Sequence, residues 1–434
     1  MAGGPECLLW GLVRGPHKNT EGQDPLLFTP LISLFSTLFS VKSSTFMNPY
    51  LSLRLFYLFY FAIIGVLTPY FPVFLKEQGL RASQIGLVMA AWPVAKLVGP
   101  IFMSNLADRL NKRLFFIQMG ALFCAITYLG FFKASGVWSF LLVMFIFSFF
   151  RMNILPLGEA IAMEYCEHHQ KEYGKIRYWG SVGFIAASFL FGWLIDYFSI
   201  HIVLWGMLVI AILQWTSTFS LPPTHNPAQK KEYSLKPFWN KAIIGFLINS
   251  VFRVVSFGIY YTFFSIWMHS RGYSSSVIGF CWAIAVLSEV FVMIWFTQLT
   301  KRFSLKEIMG WSLVLTVLRW LILGSTAWLP AILFSQLLHA FTFGAYHLAA
   351  ISYMYQHTPS HLRSTGQAIY TSVSFGLGSA IGFWGLSYLK EYFSFETMFL
   401  ICAGIAALGL PFTKWFKEQK GMPSPIVGMA ADQT

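Results

Sequence analysis

Charge is what this sequence has least of. Only 11% of its 434 residues are charged, against about 25% in an ordinary soluble domain. That scarcity excludes a water-solvated surface over most of the chain. Cysteine is also sparse: Cys7, Cys124, Cys166, Cys281 and Cys402 are scattered, with no CxxC pair among them. A disulfide framework and a cysteine-based metal or redox centre are not favoured. No HExxH motif and no phosphate-cradling glycine loop occurs, which argues against a membrane-embedded hydrolase and against direct drive by ATP. No enzyme activity, metal or cofactor is expected. Acids are scarcer than bases, 17 against 30, for a formal net charge of +13. The bases form no dense stripe and no nucleic-acid motif, so no nucleic-acid partner is expected.

What is present is apolar sequence. Hydrophobic residues make up 56% of the chain, in runs of about 20, long enough to cross a roughly 30 Å hydrocarbon layer as helices. Twelve spans are expected, near 50–75, 82–104, 114–132, 138–163, 177–197, 200–220, 241–268, 275–300, 307–325, 330–355, 365–389 and 396–415. The longest polar segment between spans, 221–240, carries Pro222, Pro223, Pro227 and Pro237 and divides the spans six and six. The domain reading is an N-terminal bundle over 47–220, a linker over 221–240, a C-terminal bundle over 241–416 and a tail over 417–434. Residues 1–46 read differently. Their apolar stretch is broken by Pro30, and the segment before it contains acids, unlike a signal peptide. They are expected to lie outside the fold, with Met47 as the native start.

Loop charge sets orientation. Lys76, Arg81, Lys133, Arg271 and Lys390 lie on one side. The other side carries Arg109, Lys112 and Arg113; Lys171 and Lys175; Lys230, Lys231, Lys236 and Lys241; Lys301, Arg302 and Lys306; Arg363; and Lys414, Lys417 and Lys420. The bias places both termini in the cytoplasm of a bacterial inner membrane. An all-α membrane protein of two pseudo-symmetric six-helix bundles follows, a design used by carriers built from repeats. Gly174-Lys175-Ile176-Arg177-Tyr178 opens the fifth span and Gly366-Gln367-Ala368-Ile369-Tyr370 the eleventh, where such a repeat places them.

The loop after the second span, Ser104 to Arg113, contains Asp108-Arg109 followed by Lys112-Arg113. It resembles the signature loop of the major facilitator superfamily, G-x-x-x-D-R-x-G-x-[KR]-[KR], with Ser104 and Asn111 at the glycine positions. The resemblance implies a cytoplasmic gate made by Asp108, Arg109, Lys112 and Arg113. Tyr173 to Phe184 is similar to the fourth-to-fifth-span segment of the lactose permease and nucleoside symporter branch. That similarity implies a substrate contact for Arg177, although Met163 stands where the branch has its partner Glu. Tyr260 to Trp267, Gly279 to Trp282 with Glu289, and Gln336 to His347 resemble the phenylpropionate permease branch. This implies proton-coupled uptake of a small aromatic carboxylic acid, 3-phenylpropionate-like, by a monomer. A nucleoside or oligosaccharide carried by the same mechanism is the alternative.

Ionisable residues at mid-bilayer cost about 2.5–3.5 kcal/mol on insertion scales and usually face a cavity. Here they are Lys96, Arg151, Glu159, Arg253, Glu289, Arg319, His339 and His347. Glu289, Arg319 and His339 follow one another on spans eight to ten, as a Glu, an Arg and a His do in lactose permease. The lactose permease acid three residues after the span-ten His is here Thr342. Proton transfer is therefore left to Glu159, Glu289 or the histidines. On an ideal helix His339 and His347 would lie about 80° apart and about 12 Å along the axis. Arg253 or Arg319 offers a forked cation to a carboxylate. Tyr260, Tyr261, Phe264, Trp282 and Tyr346 are candidate walls for an aromatic ring.

Overall fold

A computed structural model describes residues 48–110, 112–223 and 236–417. The extension 1–46, the centre of the linker and nearly all of the tail lie outside the described residues. The first six spans are α1 (Pro49–Glu77), α2 (Ala82–Arg109), α3 (Arg113–Phe132), α4 (Gly136–His169), α5 (Tyr173–Tyr197) and α6 (Ile202–Ser220). The second six are α7 (Lys241–Ser270), α8 (Ser275–Arg302), α9 (Leu305–Ser325), α10 (Leu329–His357), α11 (363–389) and α12 (Phe395–Trp415). No strand occurs among the described residues. Eleven of these helices are long and apolar enough to cross a membrane. The twelfth, α11, begins with the polar turn Arg363–Tyr370 and continues through apolar sequence to Leu389.

Helix ends are marked by local sequence. Asn48 accepts a hydrogen bond from the Tyr50 amide, with Pro49 at the first helical position where its missing N–H costs nothing. Asn240, Ser274 and Ser394 cap α7, α8 and α12. Ser304 and Glu307 form a reciprocal capping box at α9.

The two halves pack alike. In the first half α5 and α6 pack on α1, while α4 packs on α2 and α3. In the second half α11 and α12 pack on α7, while α10 packs on α8 and α9. Adding six to each helix number converts one set into the other, the mark of a structural repeat. The halves meet through α5 with α8, α2 with α11, and α1 with α7. The first two of these crossings also exchange under the same rule.

Glycine permits the close approaches. A Cβ on Gly183 would sit 2.1 Å from the Leu58 carbonyl oxygen, and one on Gly65 2.5 Å from that of Phe184, so α1 and α5 touch backbone to backbone. α7 is interrupted between Ser256 and Gly258, where Gly258 lies against the backbone of Gly382 on α11. The break sits among Arg253, Phe257 and Tyr261, which all line the same cavity.

Candidate functional site: a cavity between the halves

A cavity of about 810 Å3, its open mouth included, lies between the halves. α1 and α2 supply Ile64, Thr68, Met89, Trp92, Pro93 and Lys96. The second half supplies Arg253, Phe257, Tyr261, Phe343, Phe375 and Phe383, with Val254 and Ser379 between them. The walls are aromatic, the two charged lining groups are cations, and no carboxylate lines the cavity among the described residues.

Arg253 is 1% exposed, and its guanidinium lies 4.1 Å from the centre of the Tyr346 ring. One terminal nitrogen donates to the Thr342 carbonyl at 2.9 Å. Its Nε and its other terminal nitrogen make no hydrogen bond of ordinary geometry among the described residues, although the Tyr346 and Tyr370 hydroxyls lie within reach of the guanidinium. A buried guanidinium with unmatched donors is costly unless something accepts from it. The Lys96 ammonium lies 5.3 Å from the Phe375 ring centre.

Beside the cavity the three residues singled out on α8, α9 and α10 come together. The Arg319 guanidinium donates to Nδ1 of His339, to Gln336 Oε1 at 3.0 Å and to Thr342 Oγ at 3.4 Å. An arginine N–H cannot accept, so Nδ1 holds the lone pair and the ring proton sits on Nε2. That Nε2 donates to Glu289 Oε1 at 2.8 Å. The order Arg319, His339, Glu289 thus fixes a neutral tautomer aimed at the carboxylate. Gln336 Oε1 also accepts from the Tyr260 hydroxyl at 2.7 Å, and Tyr260 stacks against Arg319.

The terminal nitrogens of Arg319 are therefore engaged by protein partners, whereas Arg253 leaves Nε and one terminal nitrogen without a hydrogen bond among the described residues. Tyr260 is fully buried and holds the network, while Tyr261 alone of the five aromatic candidates lines the cavity. Adjacent positions on a helix point about 100° apart, so Tyr260 and Tyr261 meet different surroundings.

The two histidines are closer in phase than an ideal helix allows. Residues Ala340–Ala345 of α10 wind as a π-helix, which takes more residues per turn than an α-helix. His339, Phe343 and His347 consequently stack at four-residue intervals, with ring centres 5.3 and 5.8 Å apart. Nδ1 of His347 is 3.3 Å from the Tyr370 hydroxyl.

In the first half Arg177 lies 4.2 Å from the Phe61 ring centre. Glu159 is within electrostatic reach of Arg177 and Lys96 and within hydrogen-bonding reach of Tyr173. Arg177 in turn is within electrostatic reach of Glu289 and His347 across the interface. Arg151 is fully buried away from the cavity, bonded to the Tyr60 carbonyl and to Gln214 at 3.2 Å, and serves packing. The gate candidates are only partly visible. α2 ends at Arg109, Lys112 precedes α3 and Arg113 begins it, but the side chains of Asp108 and Arg109 lie outside the described set. Gln336 is the residue of this network that the sequence reading did not single out, whereas Lys96 was among the ionisable groups expected to face a cavity.

Two matching six-helix halves around an aromatic cavity that carries two cations define the architecture of a membrane transporter of the secondary type. The model of the MFS_1 like family matches residues 50–428, and the chain belongs to that family of major facilitator transporters. Curated relatives include a probable 3-phenylpropionic acid transporter of Escherichia coli (strain K12), 28% identical over 380 residues, covering 86% of this chain and 98% of the relative. A putative nucleoside transporter, YegT, of the same organism is 25% identical over 340 residues, covering 72% and 77%. Among solved structures, nucleoside transporter NupG superposes with a TM-score of 0.76 at 20% identity, covering 86% of this chain and all of that one. That likeness concerns the fold.

Proposed function

We propose that the protein takes up a small aromatic carboxylic acid, 3-phenylpropionate-like, together with a proton, by alternating access. It would do so as a monomer in a bacterial inner membrane with both termini in the cytoplasm. The observation that carries this reading is Arg253: a buried guanidinium on the wall of an aromatic cavity, with two nitrogens that make no hydrogen bond of ordinary geometry among the described residues. A carboxylate satisfies such a fork, and Phe257, Phe343, Phe375 and Phe383 offer faces and edges to a ring. Proton coupling falls to Glu289, with His339 as its hydrogen-bond donor and Arg177 as a charge on the opposite half that can move relative to it. Moving a cation toward or away from a carboxylate changes its proton affinity. Glu159 and His347 are the secondary candidates, and Asp108, Arg109, Lys112 and Arg113 would latch the cytoplasmic side.

The relatives described as nucleoside transporters support a second reading, a nucleoside carrier with the same motion. The cavity chemistry favours the acid. A nucleoside is neutral and needs paired donors and acceptors, whereas this lining offers two cations and few neutral polar groups. Proteoliposomes given labelled 3-phenylpropionate or uridine, with and without an inward proton gradient, decide between them. The acid should accumulate only with the gradient. Accumulation of uridine alone, or uptake indifferent to the gradient, refutes the reading.

A further inference from the structure

We propose that Lys96 determines specificity for the acid, and that the substrate carboxylate is held from both halves at once, by Lys96 on α2 and Arg253 on α7. The inference rests on the aromatic-acid reading and names how that site recognises its charge. Both cations line the same cavity but belong to opposite halves. Lys96 sits next to Leu97, and a Cβ on Gly376 of α11 would come 2.2 Å from the Leu97 side chain, so Lys96 stands where the halves touch. Lys96 is half-buried and its ammonium faces the Phe375 ring. Among the described residues it forms no direct ion pair. A carboxylate accepting from both cations ties one half to the other, whereas an uncharged analogue leaves them untied.

The competing role for Lys96 is to balance Glu159, which lies within its electrostatic reach in the same half. Binding of 3-phenylpropionate and of uncharged 3-phenyl-1-propanol to the purified protein in nanodiscs separates the two. Lys96→Met should weaken acid binding about tenfold, the worth of a hydrogen bond to a charged group, and leave the alcohol within about twofold. Lys96→Arg should keep most of the preference. Adding Glu159→Gln to Lys96→Met should not restore acid binding. Restoration by the double variant, or acid binding unchanged in Lys96→Met, overturns the role of Lys96. A wild-type protein that binds acid no better than alcohol overturns the aromatic-acid reading and this inference together.

A separate set of contacts carries a second inference. At the end of the molecule bearing the α1–α2, α5–α6, α7–α8 and α11–α12 loops, two carboxylates cross between the halves onto helix N-termini. Asp196 of α5 accepts from the Ser275 and Ser276 amides of α8 at 2.7 and 2.8 Å and from the Ser276 hydroxyl at 2.6 Å. Glu391, just beyond α11, accepts from the Ser83 amide of α2 at 3.1 Å and from the Ser83 hydroxyl. α5 and α11 are equivalent in the repeat, as are α8 and α2. We infer that this pair forms a two-fold clasp that holds this end shut and opens with it during transport. Both carboxylates sit where the free N–H groups and dipole of a helix favour an anion.

The test measures the distance between spin labels at Lys133→Cys and Trp328→Cys, exposed positions on opposite halves at this end. Asp196→Ala with Glu391→Ala should move the population to longer separations, and each single change should move it part way. The milder pair Asp196→Asn with Glu391→Gln, which keeps an acceptor oxygen, should fall between. An unchanged distribution in both double variants overturns the clasp.

Discussion

Glu289, His339 and Arg319 form a directed chain because each partner has one role open to it. Arg319 only donates, so His339 must accept on Nδ1 and donate on Nε2, and Glu289 must accept. Replacing Glu289 by Gln keeps an oxygen for that hydrogen bond and removes the titratable proton. Gradient-driven accumulation should then fall at least about tenfold, the loss of one coupled step worth about 1.4 kcal/mol or more, while substrate binding and counterflow persist. Binding and coupled uptake both surviving in proteoliposomes would remove Glu289 from the mechanism. These three residues were legible in the sequence because an ionisable group inside an apolar span is expensive and therefore informative. Gln336 was not. A neutral amide at mid-span carries little cost signal, and its role in holding both Tyr260 and Arg319 exists only once α7, α9 and α10 are packed.

At the scale of elements, the spans followed from apolar length, but their internal irregularities did not. The π winding of α10 depends on neighbours that compensate for altered backbone hydrogen bonds, and no residue type announces it. It aligned His339 with His347, where an ideal helix would have separated them. Glycine shows the same dependence on context. Gly183 and Gly404 look alike in sequence, yet a Cβ on Gly183 would strike the Leu58 backbone while nothing lies within 4 Å of one on Gly404. Gly183→Ala should therefore destabilise the first half by about 1–3 kcal/mol through overpacking, seen as a lower melting temperature in detergent. Gly404→Ala should be neutral or slightly stabilising, since Ala is the better helix former; equal effects at both positions would contradict the α1–α5 packing.

The clasp carboxylate Glu391 shows how an element end sets a pH range. Hydrogen bonds from the Ser83 side chain and backbone hold its carboxyl below the usual glutamate range. A group whose folded pKa is depressed contributes stability above its unfolded value, about 4.3, and loses it as pH falls through the lower folded value. The Glu391 contact should thus be intact throughout the neutral range and weaken only in acid, which leaves neutral-range proton sensing to groups near the cavity. With the labels at Lys133→Cys and Trp328→Cys, opening attributable to Glu391, taken as the difference from Glu391→Ala, should appear only below about pH 4.3; opening between pH 6 and 8 that depends on Glu391 would contradict this assignment.

For the whole molecule, six plus six was legible from the central proline-rich linker, whereas the crossings that join the halves were not, because they depend on where backbones meet. Those crossings have a directional consequence. A Cβ on Gly279 of α8 would sit 2.3 Å from the Ser188 carbonyl on α5, and one on Gly86 of α2 would sit 2.1 Å from the Ser387 hydroxyl on α11. Both clashes arise between halves, at the end the clasp closes, so a halves-apart arrangement of this end relieves them without unfolding either bundle. Gly183 differs, since its contact lies inside one half and stays in every state that moves the halves as rigid bodies. Gly279→Leu and Gly86→Leu should therefore hold this end open, abolishing net uptake while the melting temperature changes little. Gly183→Leu should lower the melting temperature and reduce uptake only in proportion to lost protein. Normal uptake by Gly279→Leu, or a collapse of its melting temperature matching that of Gly183→Leu, would mean that the α5–α8 contact belongs to the permanent core and that the halves do not part there.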